Sequence, residues 1–106
     1  MFETAKIRRI LLEFEKEAEK LEDDTLFYPI KTIRDTGHFI QLISRFRGLC
    51  KLVLEVKTNL DAEQIMREIQ FFLDELKQEN KTVKSKPAKA GFSWLVKHTE
   101  ELVRLA

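Results

Sequence analysis

The sequence has few of the residues that end helices, make tight turns or join chains. It contains only 3 Gly and 2 Pro in 106 residues, a scarcity of turn residues that argues against an all-β protein. The single cysteine, Cys50, excludes an internal disulfide and is typical of a reducing compartment. The one cysteine and two histidines also lack the short ligand spacings of a structural zinc site. These absences predict a helical protein with no metal or other cofactor.

The sequence also lacks a long hydrophobic run and an excess of either charge. Its longest apolar runs, such as 10–12 and 52–54, are far shorter than the roughly 20 residues that a membrane-spanning helix needs. No secretory signal pattern is visible. The formal net charge of +1 provides no overall attraction to nucleic acid or to an acidic membrane. We expect a cytoplasmic chain without a membrane span, in which any electrostatic function depends on local patches.

Apolar residues recur three and four positions apart in four segments, which is the spacing of amphipathic helices. The segments are 3–22, 38–57, 62–76 and 92–103. The central segment carries an apolar stripe of Phe39, Leu42, Ile43, Phe46, Leu49, Cys50 and Val53. A chain of this length is typical of one domain. The sequence predicts an all-α fold, a small antiparallel (up-down) bundle of four helices spanning 1–106, with a short fifth helix as an alternative.

The sequence leaves several helix boundaries open. Asp23, Asp24 and Thr25 are predicted to end the first helix, and Pro29 forbids an ideal helix that runs through it. Pro29 begins either a short helix with a turn at 35–37, which is the favoured interpretation, or one long helix. The segment 50–57 is predicted as helix, with a strand as the alternative because of its partial alternation. The segment 80–89 is predicted as a basic linker.

Charge alternates in blocks along the chain. The net charges of 1–24, 25–60, 61–80 and 81–106 are −3, +4, −4 and +4. In an up-down bundle each helix lies beside the next one in sequence. Neighbouring helices of opposite charge therefore favour this topology.

No group of residues has the pattern of a catalytic site. A cysteine nucleophile needs a neighbouring histidine and a stabilised thiolate, whereas Cys50 lies on the apolar face of the central helix. Gly-rich phosphate loops and the Gly-x-Ser-x-Gly and His-Glu-x-x-His motifs are missing from the sequence. We expect a protein that is not an enzyme.

Two aromatic residues lie outside the apolar stripes of their helices. Phe71 falls among polar residues of the third helix, and Trp94 lies outside the apolar stripe, or seam, of the last helix. Leu12 of the first helix and Leu105 of the last helix also lie outside the seams. Exposed aromatic residues are enriched in protein interfaces. Phe71 and Trp94 are the predicted protein-contact residues, and the predicted function is a protein-interaction or assembly module that binds a protein partner or forms a homo-oligomer.

A lysine-rich segment supports an alternative function. Lys81, Lys84, Lys86 and Lys89 occur in 81–97 with a fifth lysine and no acidic residue, followed by Phe92 and Trp94. Lysines can follow a phosphate backbone while aromatic rings stack on bases. The alternative hypothesis is a nucleic-acid-binding accessory protein that uses these four lysines.

Overall fold

The computed structural model describes residues 5–27, 33–56, 58–83 and 86–105. These residues form four α-helices and no strand. The helices are α1 (Ala5–Phe27), α2 (Ile33–Leu54), α3 (Asn59–Asn80) and α4 (Lys86–Leu105). The predicted all-α class with four helices is confirmed.

The first helix is longer than the sequence predicts. It continues through Asp23, Asp24 and Thr25 to Phe27, so the predicted end at 23–25 is wrong. The hydroxyl of Thr25 donates a hydrogen bond to the carbonyl oxygen of Leu21 at 2.7 Å. A threonine that bonds one turn back along its own helix satisfies its hydroxyl without capping another helix.

The second helix runs through Gly37 without a break. The predicted turn at 35–37, with a short helix before it, is therefore wrong within the described residues, and Pro29 lies outside them. Glycine inside a helix costs about 1 kcal/mol relative to alanine. Phe39 is only 2% exposed, and burying a phenylalanine side chain contributes about 1.5–3 kcal/mol. Packing of α2 on the core outweighs the cost of the glycine.

The end of α2 excludes the strand alternative for 50–56, and Lys57 lies outside the described residues. The helix continues to Leu54, and Val53 is buried in the core. The next two backbone N–H groups still donate helically, from Glu55 to the Lys51 and Leu52 carbonyls and from Val56 to Val53. Thr58 then caps α3, because its side chain accepts a hydrogen bond from the Asp61 N–H at 3.1 Å.

The last helix begins inside the predicted linker. Because α3 ends at Asn80 and α4 starts at Lys86, the connection is shorter than the predicted 80–89. Further along α4, Gly91 is buried, and a Cβ atom there would lie 2.3 Å from Cζ of Phe39. The missing side chain lets α4 approach α2 closely, with the Phe39 and Phe92 ring centroids 5.5 Å apart.

The helices form an antiparallel bundle in which α2 contacts the other three. The most extensive contacts join α1 to α2 and α3 to α4, whereas α1 and α3 do not touch within the described residues. The antiparallel register of α2 and α3 is visible in two pairs, His38 with Glu79 and Arg45 with Glu75. The largest fully buried side chains are Phe39, Phe46, Phe72, Leu11, Leu42, Ile43, Ile69, Leu76, Leu95, Leu102, Val53 and Thr99.

Ion pairs of α2 with α1 and α3 follow the predicted alternation of charge. Arg47 of α2 lies between Glu15 and Glu22 of α1, at 3.8 and 3.1 Å, and Arg45 of α2 pairs with Glu75 of α3. The pair between α3 and α4 has the opposite sense, with the cation Lys77 on α3 at 3.9 Å from Glu100 of α4. Each exposed pair contributes only about 0–1 kcal/mol, so the charges select neighbouring helices more than they stabilise the fold.

Candidate protein-contact site

Phe71 projects from the outer face of α3. Its side chain is 64% exposed, although the buried seam of the same helix includes the next residue, Phe72. Residues three and four apart share a helix face, and Arg67 and Glu75 lie one turn on either side of Phe71. The sequence placed Phe71 off the seam, and the structure leaves its ring in solvent.

A groove runs beside Phe71 between α2 and α3, with a volume of about 740 Å³. Its apolar lining consists of Leu49, Leu52, Phe71 and Phe72, together with Gly48. A Cβ atom at Gly48 would meet nothing within 4 Å, so this glycine leaves space at the surface of α2. Leu52 is 40% exposed. Leu52 and Phe71 thus present apolar surface from two helices to one depression, which we call the α2–α3 groove.

Charged side chains also line the α2–α3 groove. Arg45 donates to Glu75 at 2.6 Å and lies over the Phe72 ring, 4.7 Å from its centroid. Lys51 lies 3.7 Å from Glu15 of α1. Arg67, the third cation that lines the groove, forms no ion pair within the described residues. The groove therefore combines an apolar surface with one unpaired guanidinium group.

Trp94 lies elsewhere in the bundle, and the structure does not bring it together with Phe71. Its ring packs edge-on to Phe46 of α2, with centroids 5.3 Å apart, and stacks on His98 at 4.0 Å. The side chain is half-buried. These contacts give Trp94 a packing role that its position off the seam did not reveal.

Sequence reasoning missed a cluster around His98. The imidazole meets the Phe14 ring edge-on at 4.8 Å and lies 3.2 Å from Glu17, while Nδ1 donates to the Trp94 carbonyl at 2.8 Å. The spacing of Trp94 and His98 by one helical turn was the one signal of this contact in the sequence. Both nitrogens of His98 are occupied by groups of this chain.

The lysines of the alternative hypothesis are only partly placed by the structure. Lys81 follows α3, and Lys89 lies in α4; both are exposed. Lys86 begins α4, and Lys84 lies outside the described residues. The idea that Phe92 stacks on a base is wrong, because its side chain is 5% exposed. The role of the lysines in binding nucleic acid stays a prediction.

Cys50 is confirmed as a buried residue of the core. Burial, together with the negative charge of Glu15, raises the pKa of its thiol from 9.0 to about 12. The thiolate that a nucleophile requires is therefore strongly disfavoured. Within the described ranges, no group of three or more His, Cys, Asp or Glu side chains is arranged to hold a metal ion.

Across the part of the chain that the structure describes, no helix is both long and apolar enough to cross a membrane. No family model, curated protein or solved structure matches this chain.

Proposed function

We propose that this chain is a non-enzymatic protein-interaction or assembly module that binds its partner through the α2–α3 groove. The observation that carries the proposal is the exposed Phe71 ring beside an apolar depression that also contains Leu52. Large aromatic side chains next to a pocket are the usual anchors of protein interfaces. We also propose a cytoplasmic location, because a single buried cysteine suits a reducing compartment.

The composition of the groove favours a protein partner over a small polar ligand. Its apolar lining comes from side chains of two helices, and its charged residues Arg45, Lys51, Arg67 and Glu68 include both signs. An apolar centre with charged groups around it is the usual anatomy of a protein interface. An aromatic anchor of this kind commonly contributes about 2 kcal/mol or more, which is roughly thirtyfold in affinity.

Site-specific photo-crosslinking in cells tests this proposal. A photoreactive benzoylphenylalanine at position 71 should form covalent adducts with whatever occupies the groove. The matched control carries the same group at position 12, because Leu12 is also a large exposed apolar residue (46%) but lies on α1, away from the groove. Mass spectrometry then identifies the adducts, including adducts between two copies of this chain.

The expected result is a discrete adduct from position 71 that position 12 does not form. A second chain that carries Leu52→Ser and benzoylphenylalanine at position 71 should give a weaker adduct, because Leu52 lines the same groove. Equal labelling from positions 71 and 12, or no adduct from either, would contradict the proposed function.

A further inference from the structure

The charges around Phe71 are arranged so that two copies of α3 can complement each other. Arg67 lies four residues before Phe71, and Asp74 and Glu75 lie three and four residues after it. Residues at these spacings lie on neighbouring positions of one helix face. Moving along α3, this face presents a cation, an exposed aromatic ring and two carboxylates.

These charged groups have capacity for another partner. Arg67 forms no ion pair within the described parts of the chain. Asp74 accepts a hydrogen bond from the side chain of Gln70 on its own helix, at 3.2 Å. Glu75 binds Arg45 through Oε2. Because a carboxylate has two acceptor oxygens, both acids can accept a further guanidinium group.

We propose that a second copy of this chain occupies the α2–α3 groove, with the two α3 helices antiparallel about a two-fold axis close to Phe71. A two-fold axis of this kind brings together residues that lie equally far on opposite sides of it. Arg67 of each copy then meets Asp74 and Glu75 of the other, so the same contact forms twice. The Phe71 and Leu52 side chains of both copies cover each other between these charge contacts.

In the proposed dimer the negative charge of Glu68 also lies close to the contact. At 3.6 residues per turn it lies about 60° around the helix from Phe71, and it lines the groove together with Arg45 of α2. Arg45 supplies a cation on that side of the contact. A foreign partner would not require the cation and the acids to lie at matched distances from one ring, so this spacing favours a second copy.

This inference rests on the proposed function, and it makes a charge-exchange experiment possible. Sedimentation velocity on the full chain should show a dimer for the unaltered protein. Arg67→Glu places acids against acids, and Asp74→Arg places cations against cations, so each variant alone should dissociate at least about tenfold more readily. An equal mixture of the two should sediment as a heterodimer, because one contact is then the native one, Arg67 with Asp74 and Glu75, and the other pairs the new Glu at 67 with the new Arg at 74.

Lys16→Glu is the matched control, since Lys16 is an exposed cation on α1 and its change should leave the dimer intact. Unchanged circular dichroism spectra show that the variants fold. A monomer at all concentrations, a dimer that neither variant weakens, or a mixture that stays monomeric would overturn the second-copy inference. If position 71 then crosslinks only to another protein, the proposed function stands; if it crosslinks to nothing, both fail.

Discussion

Phe71 and Trp94 are both aromatic residues outside the apolar seams of their helices, yet they have opposite environments. Trp94 packs edge-on to Phe46 and stacks on His98, whereas Phe71 is 64% exposed. The difference comes from the neighbouring helices. Helix α4 contacts α1, α2 and α3, whereas α3 contacts only α2 and α4 within the described residues.

The comparison teaches that a seam and its flanks carry different kinds of information. The apolar seam of a helix indicates which side of the helix faces the core. A residue on the flank is buried only if another helix reaches it, and that depends on packing between distant segments. Phe14 and Phe46, on two other helices, lie near the His98–Trp94 stack, but among the described residues no third helix lines the α2–α3 groove.

The largest expected loss of stability comes from truncating a central core side chain. Phe46 lies next to Trp94, and Leu73 lies on α3, the helix that carries Phe71. Both residues are buried, at 0% and 4% exposure. Phe46→Ala should lower the free energy of unfolding by about 3–5 kcal/mol and Leu73→Ala by about 2–5 kcal/mol. These are large fractions of the roughly 5–15 kcal/mol that stabilises a small domain. Circular dichroism melts measure both, and midpoint shifts of only a degree or two would contradict the packing described.

Truncation of Trp94 and of Phe71 tests whether the first side chain is packed and the second exposed. Trp94→Ala removes the contacts with Phe46 and His98 and should cost about 2 kcal/mol or more. Phe71→Ser removes an exposed ring and should change the stability of the isolated domain by no more than about 0.5 kcal/mol. Urea unfolding at a concentration low enough to separate any dimer measures both changes. Equal destabilisation by the two variants would abolish the distinction between packed and exposed aromatic residues.

Two glycines should respond to alanine with opposite signs. At Gly91 the new methyl group would collide with the buried Phe39 ring, and overpacking of this kind costs about 1–3 kcal/mol. At Gly37 nothing lies within 4 Å of a Cβ atom, and replacing a helical glycine there should stabilise the fold by about 1 kcal/mol. Thermal melts of Gly91→Ala and Gly37→Ala provide the comparison. A gain in stability at position 91 would show that α4 does not approach α2 closely.

The smallest expected effect on stability at neutral pH is that of Cys50, on the buried side of α2. Because the pKa of Cys50 is raised from 9.0 to about 12, its thiol should react with iodoacetamide far more slowly in the native than in the unfolded chain. Between pH 9 and 12 the unfolded chain loses this proton first, so the free energy of unfolding falls as pH rises. Below pH 9 the thiol is protonated in both states and contributes no slope.

Two variants isolate the effect of Cys50. Cys50→Ala should remove this part of the alkaline slope while the slope from other groups stays. Cys50→Ala combined with Ser44→Cys moves the thiol to an exposed position on the same helix, where it should react rapidly. Rapid labelling of native Cys50 at pH 8 would show that this side of α2 opens to solvent.

The sequence predicted the fold well because hydrophobic spacing is local. Phe46, Cys50 and Leu73 are buried as their spacing indicated. The wrong boundaries share one cause: Thr25 and Gly37 carry local signals for a helix end or a turn, and both lie inside helices. Packing against distant residues, which local signals do not report, decides such positions.

The candidate site was only half visible for the same reason. The polar neighbours of Phe71 in sequence indicated its exposure. The groove beside it needs Gly48 and Leu52 of α2 to lie next to Phe71 of α3, and that juxtaposition depends on the register of two helices. The cover over Trp94 likewise comes from residues far away in sequence.

Because α2 and α4 each contact every other helix while α1 and α3 do not touch each other in the described ranges, the bundle should open unevenly. Fraying of α1 can leave the other three helices packed together, but separation of α2 exposes surface on all of them. Native-state hydrogen exchange separates such partial openings from global unfolding. The central amides of α2, around Ile43 and Phe46, should exchange only when the whole domain unfolds, whereas amides in α1 should exchange through smaller openings.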